Sequence, residues 1–204
     1  DVEVTAGIEA ALRSLCANES TVLDADPAWA ALDFHLACAW GDEKSVDRFL
    51  RENAKLAIGP GGPFRWQPIE YACFSKRLRS HPEGIIGVVR QLLDEGADPS
   101  SGHFTEESGQ RLQTVLYAAS GIANNAELTG MLLRSGADVN ESLPVPDAND
   151  PSVSPWGPEA LYHSCEFSDR RCLTLLLEAK PRPLYVWYCL ARALDFENPE
   201  AIAA

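Results

Sequence analysis

The sequence has no apolar run near the roughly 18–20 residues that a bilayer-spanning helix needs, so no membrane span is expected. Its opening, DVEVTAGIEA, lacks the basic start and apolar centre of a secretion signal. Methionine occurs once, at Met131, and not at position 1. We therefore expect a trimmed piece of a longer chain, with a removed leader left open. Positive charge is also scarce: 17 Lys and Arg stand against 30 Asp and Glu, for a net charge of −13. Such a chain repels phosphate backbones and anionic lipid surfaces on average, so neither nucleic acid nor a membrane is expected as a partner.

The 6 cysteines include no C-x-x-C pair, so zinc-knuckle and dithiol motifs are absent. Most lie among Ala, Leu and aromatic residues, where a free thiol packs as a small hydrophobe. Reduced thiols point to the cytoplasm, with secretion or delivery into another cell as the alternative.

Signals for catalysis are equally thin. The stretch GPGGP, Gly59 to Pro63, has no Lys-Ser/Thr to hold a phosphate, and Pro60 and Pro63 remove two backbone donors. It reads as a turn. The histidines are dispersed at His35, His81, His103 and His163. A His163–Cys165–Cys172 metal set fails on geometry, because helix positions two apart point in different directions. No carboxylate pair sits in a recognisably apolar context. We expect no enzyme, no metal and no cofactor.

What the sequence does contain is a copy of itself. LLDEGADPS, Leu92 to Ser100, returns as LLRSGADVN, Leu132 to Asn140. Both read as the end of an amphipathic helix followed by a glycine able to turn left-handed. Upstream lie short apolar segments with small residues in the middle: LDFHLACAWGD from Leu32, QPIEYACFS from Gln67, TVLYAASG from Thr114, EALYHSCEFSD from Glu159 and, more weakly, YCLARALDFEN from Tyr188. Their small pairs are Ala37-Cys38, Ala72-Cys73, Ala119-Ser120, Ser164-Cys165 and the half-small Ala193-Leu194. Each segment precedes a second helical pattern. The predicted unit is a short helix, a tight turn, a longer amphipathic helix and a loop.

This unit resembles the ankyrin repeat, through His35 and Gly41 in the first copy, Pro68 in the second and the two Gly-Ala-Asp endings. The resemblance implies an all-α solenoid of stacked helix-turn-helix units. Residues 1–31 would form an N-terminal helical cap, with residues 7–27 as half a unit. Residues 32–204 would hold about four and a half repeats in a single solenoid domain. The unequal spacing of the openings departs from the family period of about 33 residues. So do the insertion KRLRSHPE, Lys76 to Glu83, and the loops SSGHFTEESGQR and ESLPVPDANDPSVSPWGP. Glu70, Tyr117, Tyr162 and Ala191 stand where the family carries its histidine. Alanine richness and scarce methionine suggest a bacterial coding sequence.

The resemblance further implies a monomeric protein–protein interaction module that presents a concave surface to a protein or peptide. In such modules, partners meet the loop tips and the exposed end of each first helix. Those ends carry Trp40, Phe74, Phe167 and Phe196, an apolar ladder of the kind in which binding energy concentrates. Packing beneath the long loops is the competing reading of this ladder. Trp66 and Trp156 close two of the loops and can fold inward, whereas Tyr185 and Trp187 read as core. One basic island, Lys76, Arg77 and Arg79 with Arg65 nearby, could meet an acidic patch or could simply be solvated. Two other functions stay open: a targeting arm of a larger enzyme or effector, and a small-molecule or metal binder using a loop pocket near Trp66, Phe74 and Trp156.

Overall fold

The computed structural model describes residues 2–16, 26–105, 111–141 and 157–203. Among the described residues the chain is mostly helical, with one small two-stranded sheet. None of the described helices is long and apolar enough to cross a membrane. Contacts divide the chain into two compact units, Asp1–Ser101 and Gly102–Ala204.

The first unit opens with α1, Val2–Cys16, and continues with α2, Phe34–Trp40, and α3, Glu43–Glu52. It then runs through α4, Pro68–Cys73, the one-turn α5, Arg77–Ser80, and α6, Pro82–Asp94. Helix α2 lies at the centre, packed against α1, α3, α4 and α6. Its Leu36, Ala37, Cys38 and Ala39 are buried completely. Small side chains at this crossing let neighbouring backbones approach, as the sequence pattern predicts. Helix α1 begins ahead of the expected half unit, and its last turn is fastened from outside. The Leu15 carbonyl accepts from the Lys76 backbone N–H (3.0 Å) and the Ser14 carbonyl from Lys76 Nζ (2.7 Å). A cation at a helix C-terminus satisfies orphan carbonyls and complements the macrodipole.

The second unit starts with a hairpin, β1, Gly102–Thr105, paired antiparallel to β2, Arg111–Thr114, with His103 opposite Gln113. It continues with α7, Val115–Tyr117, a π turn over Ala118–Ile122, and α8, Ala126–Arg134. The last helices are α9, Glu159–Ser164, α10, Arg171–Glu178, α11, Pro183–Asp195, and α12, Pro199–Ile202. The π turn and α9 pack together, as do α8 with α10, α9 with α11, and α11 with α12.

The two Leu-Leu endings fold alike, bond for bond. Ala97 N–H donates to the Leu92 carbonyl (2.9 Å), and Ala137 N–H to Leu132 (3.0 Å). Asp98 Oδ1 accepts from Ser100 N–H (2.8 Å), and Asp138 Oδ1 from Asn140 N–H (2.9 Å). Gly96 and Gly136 hold φ of 91° and 100°, the left-handed region that glycine occupies without strain. After α10, Lys180 takes the equivalent place at φ 59°.

A second repeated device is the turn between paired helices. A left-handed residue, Gly41, Asn124 or Glu197, precedes Asp42, Asn125 or Asn198. Each of these caps donates its N–H to the first member of a small pair, Ala37, Ala119 or Ala193. Each cap side chain also accepts from the following helix, at Ser45, Leu128 or Ala201. The fifth copy, weakest in sequence, keeps this turn in full.

Candidate functional site

The first unit carries most of the predicted aromatic and basic residues. Trp66 is led inward by the GPGGP turn, where Gly61 N–H donates to the Trp66 carbonyl (3.0 Å). Tyr71 anchors this turn from α4. Its hydroxyl donates to the Gly61 carbonyl (2.8 Å) and accepts from Phe64 N–H (3.1 Å). Burial is the main cause that pushes the Tyr71 phenol up to about 12, so it stays a neutral donor. Around it Phe64 stacks on Trp66 (4.6 Å between centroids), and Trp66 meets Phe74 (5.6 Å). His35 lies edge-on to Tyr71 (5.3 Å), and burial lowers its pKa toward the neutral imidazole.

Trp40 ends α2 half-buried, with the Arg77 guanidinium 4.2 Å from its ring centroid. Arg77 Nε also donates to the Trp40 carbonyl (2.8 Å), which locks the stack. Lys76 donates to the end of α1, so part of the predicted basic island has a structural duty. Arg65 and Arg79 are exposed. Arg13, which sequence reasoning missed, reaches over the Phe64 ring at 5.4 Å. Its partner lies fifty-one positions away (Arg13, Phe64), a separation at which helix periodicity carries no signal.

Phe167 and Phe196 belong to the second unit, where Phe167 is half-buried and Phe196 is 49% exposed. The Phe167 carbonyl accepts from Asn198 Nδ2 (3.0 Å), and Arg192 lies 4.4 Å over the Phe196 ring. Among the described residues no ring contact joins the two. Trp156 lies outside the described residues. Tyr185 is core as expected, but Trp187 is 67% exposed. Tyr185, Cys189 and Ala193 form the buried stripe of α11 at four-residue spacing, and a residue two past Tyr185 falls on the opposite face.

A polar network in the second unit lay outside the expected set. His163 Nδ1 is 2.7 Å from Glu166 Oε1, and its Nε2 is 3.1 Å from Glu159 Oε2. Ionised carboxylates only accept, so both contacts are satisfied when the ring is protonated and donates from each nitrogen. Burial opposes that charge, but the bond to Glu159 and the charge of Glu166 outweigh it, and the His163 pKa is raised. Arg192 reaches from α11 to Glu166 (2.8 Å from Nε), and Arg111 comes from β2 to 3.9 Å of Glu159. Glu159 and His163, four apart on α9, share a helical face, and Glu166 follows in the turn just past the helix, a spacing that was present in the sequence.

Below this network Glu141 is buried and bridges two helix starts. It accepts from the Thr114 hydroxyl, which itself caps α7 by accepting from Tyr117 N–H (3.0 Å). Its other oxygen accepts from Ala160 N–H (3.2 Å) near the start of α9. Burial pushes the Glu141 carboxyl up to about 7, against these two bonds that lower it.

Among the described residues, no group of three or more His, Cys, Asp or Glu is placed to hold a metal ion. His163 spends both nitrogens on carboxylates, and Cys172 lies 3.5 Å from the Thr129 hydroxyl. A concavity along α10, lined by Asp169, Arg171, Thr174 and Glu178, contains none of the predicted site residues. No family profile matches the chain, and no curated protein matches its sequence.

Proposed function

We propose that the chain is an ankyrin-like recognition module, a solenoid of helix pairs that binds a partner protein through the ends of its first helices. The observation that carries this reading is the half-buried face of the first unit. There Trp66 and Phe74 meet in a packed aromatic cluster, and Trp40 closes α2 with Arg77 fixed beside it. Rigid aromatic and Arg side chains supply contact energy at low entropic cost. Two further features support the repeat reading: the matched Leu-Leu endings and the three matched interhelix turns. The face offers rings and cations rather than a nucleophile paired with a base, which fits binding rather than turnover.

The test is capture of a partner from the source cells with the full chain, compared with a Trp40→Ala/Phe74→Ala variant shown by circular dichroism to be folded. A protein retained by the parent and lost by the variant supports the reading. Equal retention by both removes this face as the site.

A further inference from the structure

The face described above has a charge opposite to that of the chain that carries it. The whole sequence is strongly acidic, at −13, yet Arg13 lies over Phe64, which stacks on Trp66, and Arg77 lies over Trp40, while Arg65 is exposed between Phe64 and Trp66 in the chain. Lys76 and Arg79 neighbour Arg77 in the chain but have partners of their own, Lys76 Nζ on the Ser14 carbonyl. Among the described residues no carboxylate forms an ion pair with Arg13, Arg65 or Arg77. In a chain with nearly twice as many acids as bases, a solvated surface would ordinarily intermix the signs.

Arg77 is the most committed of these cations. Its guanidinium carbon lies 4.2 Å from the Trp40 ring centroid and its Nε is spent on the Trp40 carbonyl. Its two terminal nitrogens have no hydrogen-bond partner among the described residues. A guanidinium held this way is a preformed fork for a planar oxyanion. Burial against the indole lowers its pKa, a cost that a bound anion would offset.

Resting on the recognition reading above, we infer that this face takes an acidic segment of the partner protein. An Asp or Glu carboxylate docks on the Arg77 fork, and an adjacent apolar side chain lies against the half-buried Trp40 ring. A single-stranded nucleic acid would meet the cations and stack its bases on the rings, but the net negative field of the chain opposes a long polyanion more than a short peptide.

The experiment pans a displayed library of random peptides against the full chain. Selected peptides are then measured by fluorescence anisotropy at low and high salt, beside a labelled RNA oligonucleotide. Selected sequences should be rich in Asp and Glu next to Leu or aromatic residues, and should bind more weakly as salt rises. Arg77→Gln should lose about tenfold or more in affinity, and Arg77→Lys should recover only part, because it restores the charge without the fork. Arg13→Gln, at an exposed position, gives a second reading free of packing loss at Trp40.

Peptides without acidic enrichment, or affinity unchanged in both Arg variants, would overturn the inference. If such peptides still require Trp40, the recognition reading stands and only the acidic partner falls. Failure to select any peptide counts against both. RNA bound as tightly as the best peptide and lost in Arg77→Gln assigns the face to nucleic acid and also overturns the inference.

Discussion

Replacing Glu141 with Gln should flatten the pH dependence of stability. The carboxyl is buried, and its folded-state pKa lies near 7 against an ordinary 4.5. A raised pKa means that the folded chain holds the proton more tightly than the unfolded chain does. The associated stability is fully present below 4.5 and lost as pH climbs through about 7. At about 1.36 kcal/mol per pKa unit, the whole span is worth about 3 kcal/mol, most of it falling between pH 5 and pH 8. Glutamine cannot ionise. Its amide also turns a donor toward either the Thr114 hydroxyl or the Ala160 N–H, which costs about 1–3 kcal/mol. The variant should therefore be less stable than the parent at pH 5 and approach it at pH 8. Urea unfolding of the full chain, followed by circular dichroism across that range, measures both curves. Parallel curves, with equal losses from pH 5 to pH 8, would refute the assignment of a raised carboxyl at Glu141.

Three further substitutions test other parts of the structure. His163→Ala leaves Glu159 and Glu166 without their shared cation; because its pKa is raised, its contribution is full below 6.5 and fades as pH rises through the folded value, so the variant should differ most from the parent in urea melts at acid pH. Tyr71→Phe removes the bond to the Gly61 carbonyl and strands Phe64 N–H, at a cost of about 1–3 kcal/mol, and should change Trp66 fluorescence as the turn loosens. Lys180→Gly relieves a left-handed residue at φ 59° and should stabilise the chain by about 1 kcal/mol, read as a higher melting temperature.

Which parts of this structure were legible in advance follows from how local their causes are. The duplicated nonapeptide foretold two helix ends because its bonds, Leu92 to Ala97 and Leu132 to Ala137, close within the motif itself. The small pairs foretold the close helix crossings, four of them fully and the fifth by Ala193 alone, since Leu194 is exposed. The hairpin of Gly102–Thr105 and Arg111–Thr114 was read as loop because each strand is short and its partner lies across an intervening segment. The π turn has no sequence signature beyond the small residues it shares with an ordinary helix. At the candidate site, Trp40, Phe74 and Arg77 were visible as residue types at helix ends, but the lock between Arg77 and Trp40 was not. Comparing His163 with the cysteines nearest in sequence hid its true partners, three and four positions away. Arg192 comes from a separate helix, and helix spacing is silent about such contacts.

The three matched turns bear on how the chain acquires its structure. Each closes its hydrogen bonds over a handful of residues, from Ala37 to Ser45, Ala119 to Leu128 and Ala193 to Ala201. Closing so short a loop costs little chain entropy, and contacts near in sequence form early. A helix pair built around such a turn is a ready nucleus, and the chain holds several. Because loop-closure entropy grows only slowly with length, the long stretches between these pairs add little to the cost of bringing them together.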